Sequence, residues 1–195
     1  IEKNVELTRS FYLGEQEISN RSFKQFDPGH DSGLLGRALL SEEDRPVVNV
    51  SWEEAVRFSN WLSEKDGLPA AYALKDGQWH LRSPATIGYR LPTEAEWAWA
   101  ARYASGKLPT RFPWGDNMPP TAGSGNYADV SAANMVPYSI KGYNDNFRGP
   151  APSGTYASNE LGIFDLAGNV SEWINDYYSV ELHRKTLVDP LGPIQ

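Results

Sequence analysis

The stretch FPWGDNMPPTAGSGNYADVSAANMVPYSIKGYNDNFRGPAP, residues 112–152, decides what kind of fold this chain can adopt. Pro113, Gly115, Pro119, Pro120, Gly123, Gly125, Gly142, Gly149, Pro150 and Pro152 punctuate it, and neither a helical nor a strand period runs through it. Glycine permits positive φ and proline removes a backbone donor, so the segment reads as irregular backbone. An ordered stretch of this length must be held by something, because its peptide groups cannot all be left to water. A bound metal is one answer and extensive side-chain packing is the other; the residues alone leave both open.

Around it the chain is short and rich in rings. Its 195 residues suit one compact domain, with no linker to divide it, and we read 1–195 as a single unit. Seven Trp and ten Tyr supply large semi-polar packing surfaces, and 17 Gly with 14 Pro imply few long regular elements. The net charge of −7 argues against a protein that lives on nucleic-acid phosphates or anionic membrane. No apolar run approaches the ~20 residues of a membrane helix. The absence of cysteine removes disulfides, thiolate metal sites and thiol catalysis from this chain. A first residue Ile1 in place of Met suggests a processed or trimmed piece.

Regular elements are predicted on both sides of the deciding stretch. Val5 to Leu13 alternates like a half-buried strand, and Ser19 or Asn20 caps a short helix ending near Phe23 and Phe26. Residues 27–46 read as loop. Ser51-Trp52-Glu53-Glu54 is a capping box that opens a helix with Trp52, Ala55, Val56, Ser59 and Leu62 on one face, stopped by Gly67 and Pro69. Thr93-Glu94-Ala95-Glu96 repeats the device behind Pro92, with Gly106 as the stop. Between these helices, Lys75-Asp76-Gly77 joins strands 71–74 and 78–81 as a hairpin.

Three blocks then stand out in order: Val47-Val48-Asn49-Val50-Ser51-Trp52-Glu53-Glu54-Ala55; Tyr89-Arg90-Leu91-Pro92-Thr93-Glu94-Ala95-Glu96-Trp97 with Phe112-Pro113-Trp114-Gly115; and residues 159–173, NELGIFDLAGNVSEW. From about Leu7 to Trp173 the chain resembles the formylglycine-generating enzyme, or sulfatase-modifying-factor, family, in its bacterial-type branch. The resemblance implies an α+β, irregular, loop-rich fold related to C-type lectins, with short helices around a small antiparallel sheet. It also implies structural calcium. One site would use the Asn126 side chain, the Tyr127 carbonyl, the Asp145 carboxylate and the Phe147 carbonyl. A second would use Asp165, the Gly168 and Val170 carbonyls and Glu172. Calcium takes six to eight hard oxygens from such mixed donors, and Gly168 between two carboxylates lets the chain bend around an ion.

Catalytic members of the family place a copper-binding cysteine pair after this region and oxidise a substrate cysteine to formylglycine. Copper(I) prefers soft thiolates, so copper is not expected in this chain, and no catalytic residue is assigned. The family's "RGGSW"-like and "GFR"-like closing blocks are also missing from these residues. His30, His80 and His183 lack metal-ligand spacing, and neither a phosphate loop nor a G-x-S-x-G elbow occurs. Asn20, Asn49 and Asn169 each begin a glycosylation tripeptide, though packing explains Asn49 and Asn169 better. Tyr127, Tyr138, Tyr143, Tyr156, Tyr177 and Tyr178 crowd the loop-rich half; at least half should pack inward, and the others could bind peptide or sugar. The resulting expectation is a maturation or oxidation factor for a peptide or protein, with a non-catalytic lectin-like module for protein or glycan as the alternative. Exported or periplasmic placement is favoured over cytoplasmic.

Overall fold

A computed structural model describes residues 4–103, 110–178 and 186–192. Those residues gather into two compact units: Ile1–Phe11, Val50–Trp97 and Glu172–Gln195 in the first, Tyr12–Asn49 and Ala98–Ser171 in the second.

In the first unit, α2 (Trp52–Lys65) starts where the capping box places it. The Ser51 hydroxyl accepts from the Glu54 amide, and the Glu54 carboxylate accepts from the Ser51 amide. Its apolar side brings Val56 against Ala71 and Tyr72, with Trp52, Trp79, Leu81 and Leu91 packed around them. The hairpin forms as β4 (Tyr72–Lys75) and β5 (Gln78–Leu81). Its turn is two residues, not three: Asp76 and Gly77 both take positive φ, the mirror-image turn whose twist matches paired strands. Helix α3 (Glu94–Arg102) begins in this unit behind Pro92, its residues from Ala98 on counting with the second, and the expected stop at Gly106 lies outside the described residues.

The strand expected over 5–13 is reduced to β1 (Val5–Glu6), paired in parallel with β6 (Leu187–Val188). The ladder stops because the next donor, the Thr8 amide, is taken by the Asp189 side chain at 2.7 Å. Among the described residues the sheets are therefore separate two-stranded ribbons, one parallel and two antiparallel, in place of one small antiparallel sheet.

In the second unit, α1 (Asn20–Phe23) is capped by the Ser19 hydroxyl, not by Asn20. The segment read as loop holds a small hairpin, β2 (Leu34–Leu35) with β3 (Ala38–Leu39), turning at Gly36 with φ +63°. Asn20 is fully buried, and its amide donates to the Leu40 and Glu42 carbonyls at 2.8 and 2.9 Å. That one side chain pins the returning loop, which excludes it as a glycosylation acceptor.

Candidate functional site

Residues 125–171 of the second unit carry almost no regular structure, and carboxylates take over the work of a ladder. Asp129 is completely buried. Its Oδ1 accepts from the Ser131 amide and hydroxyl at 2.7 and 2.6 Å, closing a local turn, and its Oδ2 accepts from the Asp145 amide at 2.5 Å. Asp145 repeats the pattern, taking the Tyr127 amide on Oδ2 at 2.7 Å and the Phe147 amide on Oδ1 at 2.8 Å. The Ser131 hydroxyl also donates to the Phe147 carbonyl. Two strands of loop are thus tied by two interleaved aspartates.

Burial drives both carboxyls upward, but the outcomes differ. At Asp129 the bonds from Ser131 and the Asp145 amide outweigh burial and hold the group below its ordinary value. At Asp145 burial prevails over the bonds from Tyr127 and Phe147, with the Asp129 charge adding to it, and the group sits above its ordinary value.

Of the first expected ligand set, the structure groups Tyr127, Asp145 and Phe147, and adds Asp129, a residue absent from that set. The repeated Asx-turn pattern of Asp129-Val130-Ser131 and Asp145-Asn146-Phe147 is the signal in the sequence that could have found it. The Asn126 amide nitrogen donates to the Gly149 carbonyl at 2.7 Å and to Asn169 Oδ1 at 3.2 Å. Among the described residues no three acidic or histidine side chains converge. A calcium ion beside Asp129 and Asp145 would complete its shell from carbonyls and the Ser131 hydroxyl, all hard oxygens, so the donor chemistry fits.

The residues of the second expected set are placed as follows. Asp165, Gly168 and Val170 lie in the second unit, whereas Glu172 lies in the first, where its Oε2 accepts the Trp97 indole N–H. Asp165 adopts φ +55° and is 8% exposed. The Gly154 amide donates to its Oδ2 at 2.6 Å, while Oδ1 is buried with no hydrogen-bond partner. Burial raises this carboxyl, opposed by the Gly154 bond. Two tyrosine hydroxyls, those of Tyr127 and Tyr156, are likewise buried and unpartnered, and burial raises both. Gly168 has φ +97°, and a Cβ there would stand 2.2 Å from the Asn126 carbonyl, so only glycine permits this approach of two loops. The Asn169 amide then donates to that same carbonyl at 2.9 Å.

The six tyrosines split evenly. Tyr143 is buried, Tyr127 and Tyr156 are half-buried, and Tyr138, Tyr177 and Tyr178 are exposed. Tyr127 sits edge-on between Trp114 and Tyr143, at centroid distances of 4.9 and 5.7 Å. His30 is held by the Val48 carbonyl at 3.0 Å and the edge of Phe23, as a packed histidine is; His183 lies outside the described residues. Asn49 and Asn169, like Asn20, spend their amides internally, on the Ser32 carbonyl and on Glu17. No helix among the described residues is long and apolar enough to cross a membrane.

Known proteins are similar to this chain. Residues 2–189 match the sulfatase-modifying factor enzyme 1-like domain. The formylglycine-generating enzyme of Thermomonospora curvata is 32% identical over 162 residues, 81% of this chain and 43% of that enzyme. Chaperone protein LppX of Paenibacillus barcinonensis is 28% identical over 193 residues, 91% of this chain and 66% of that protein. Of solved structures, Treponema denticola variable protein 1 aligns with a TM-score of 0.71 at 24% identity, over 91% of this chain and 66% of its own. The chain spans less than half the length of the Thermomonospora enzyme.

Proposed function

The chain belongs to the sulfatase-modifying factor enzyme 1-like family, and on that premise we propose that it is a calcium-held, C-type-lectin-like domain of a factor that acts in peptide or protein maturation. The observation that carries the calcium part is the linked pair Asp129 and Asp145, two buried carboxylates of which the first accepts the backbone amide of the second. Asp129, Asp145, the Tyr127 and Phe147 carbonyls and the Ser131 hydroxyl would hold the ion. Calcium supplies positive charge there and no redox chemistry. An exported or periplasmic setting, where a calcium site of modest affinity stays filled, accords with this role.

The part these residues play in maturation is holding and orienting a polypeptide. Resemblance to formylglycine-generating enzymes supports a protein substrate, and the name of LppX supports a polypeptide partner. With no cysteine, the 195 residues offer copper no thiolate, so the oxidation of a substrate thiol is not assigned to them. The second reading, a recognition module without catalysis, is favoured by the exposure of Tyr138 and Tyr178, 87% and 93%, which suits rings that meet a partner.

Calorimetric titration of chelator-stripped protein with calcium tests the core of the proposal. Saturable binding that weakens at least tenfold in Asp145→Asn is expected. Absence of binding heat, with no change in the melting midpoint, would overturn it.

A further inference from the structure

A cavity of about 380 Å³ opens in the second unit, between Leu35 of the β2–β3 hairpin and the loops at 126–128, 148–150 and 168–171. Its volume falls in the ~300–1,000 Å³ range of small-ligand sites. Leu35, Ala132, Val136 and Pro150 give it apolar walls, and Arg148 is the one charged side chain among its described lining residues. Gly149 lets the hairpin wall approach, since a Cβ there would stand 2.9 Å from Leu35 Cδ2. Arg148 is exposed and makes no ion pair or hydrogen bond among the described residues, although acids outnumber Lys and Arg in this chain by 25 to 18. Ser171, also on the lining, is exposed, and its hydroxyl has no partner among the described residues. Neither residue belongs to an expected calcium set, and Asp129, Asp145 and Phe147 do not line the cavity.

We propose that this cavity binds a monoanionic carboxylate carried on a short aliphatic stem, with Arg148 pairing to the carboxylate, the Ser171 hydroxyl donating to it, and Leu35, Val136 and Pro150 lying along the stem. A guanidinium is always charged and presents a fork of N–H groups that matches the two oxygens of a carboxylate. A hydroxyl beside it supplies a further donor to the same acceptor. Charge selects the ligand class. A lining whose single charged side chain is a cation repels an amine, and it repels a calcium ion, which would also want six to eight oxygens. A phosphate monoester brings close to two negative charges, so one guanidinium would leave part of that charge uncompensated. The apolar walls select the stem, because each methylene taken out of water adds about fourfold in affinity.

The site goes beyond the calcium reading and is tested apart from it. Calcium-saturated protein is titrated by calorimetry with pentanoate, with pentanamide as the neutral control and acetate as the stemless one, and with the capped peptide acetyl-Ala-Glu-Ala-amide. Pentanoate is expected to bind at least tenfold more tightly than either control, and less tightly as salt screens the pair. Arg148→Gln should lose the advantage over pentanamide. Arg148→Lys, which keeps the charge without the fork, should weaken it several-fold, as should Ser171→Ala; all three changes fall at exposed positions, where folding is spared. Tighter binding of the peptide assigns the carboxylate to an acidic side chain of a polypeptide partner; tighter binding of pentanoate assigns it to a free acid. Equal affinity for pentanoate and pentanamide overturns the proposal, and so does a preference that survives Arg148→Gln. Tighter binding of butyl phosphate than of pentanoate overturns it as well. Failure of calcium to bind wild-type protein that still prefers pentanoate would sink the calcium reading alone.

Discussion

Arg90 closes a two-pronged grip on Glu96, with its two terminal nitrogens 2.7 and 2.6 Å from the two carboxylate oxygens. The same Glu96 accepts the Thr93 amide at 2.9 Å, while the Thr93 hydroxyl accepts the Glu96 amide at 3.2 Å. The pair therefore locks the start of α3 to the chain that precedes it. Removing Arg90 alone would leave a carboxylate that is only 11% exposed. Arg90→Met should destabilise the protein by about 2–3 kcal/mol, the lower part of the range for a broken buried pair because Arg90 keeps some solvent. Urea unfolding at neutral pH checks this.

The same grip sets a pH response. Burial pushes the Glu96 carboxyl up, but its bonds from Arg90 and Thr93 outweigh burial and leave it below its ordinary value. A depressed carboxyl contributes stability above its unfolded value and loses it as pH falls through the folded one. The wild-type midpoint should fall steadily below the ordinary carboxylate range, and Glu96→Gln should flatten that fall. Denaturation curves from pH 7 to pH 3 would show a parallel decline in both proteins if the pair were irrelevant.

Glycines at positive φ are not equivalent. Gly168→Ala meets the Asn126 carbonyl at 2.2 Å, while an added Cβ at Gly67, φ +70°, meets nothing within 4 Å. The Gly67 change should cost roughly 1–2 kcal/mol from backbone conformation alone. Gly168→Ala should cost at least ~2 kcal/mol more, because two loops must separate. Thermal melts of the two variants, side by side, measure the difference.

Calcium should raise the melting midpoint of wild-type protein and leave Asp129→Asn nearly unmoved. At a hundredfold excess over the dissociation constant the gain is about 2.7 kcal/mol. An equal rise in both proteins would place any bound ion elsewhere.

Asn20 supports a prediction that concerns packing only. Asn20→Ala strips a donor from buried carbonyls, including those of Leu40 and Glu42. A loss of about 2–3 kcal/mol is expected, with no change in calcium affinity. A weakened affinity would tie this loop to the Asp129–Asp145 group.

Both long helices are legible in the residues alone, because Ser51–Glu54 and Thr93–Glu96 are local signals: cap, acid three residues on, apolar stripe after. The Asp76-Gly77 hairpin is legible for the same reason, and so is the irregular character of residues 112–152. The strand at Val5–Leu13 reads longer than it is, since its alternation carries no information about the Asp189 side chain that ends the ladder at Thr8. The family resemblance points to Asn126 beside Asp145, and the side chain that accepts the Asp145 amide is that of Asp129, an arrangement made by loop conformation.

What the chain's order of residues determined by itself was every interaction closed within a few positions: the caps, the turns, and the impossibility of thiolate chemistry in a segment without cysteine. Only the tertiary structure decided which distant oxygens meet. Asp129 and Asp145 lie sixteen residues apart, and Asp165 takes the amide of Gly154, eleven residues before it. The physical reason is that a capping bond is built from residues whose separation the helix itself sets. A loop brings its carboxylates together only after the whole backbone path, with its positive-φ glycines, has been chosen.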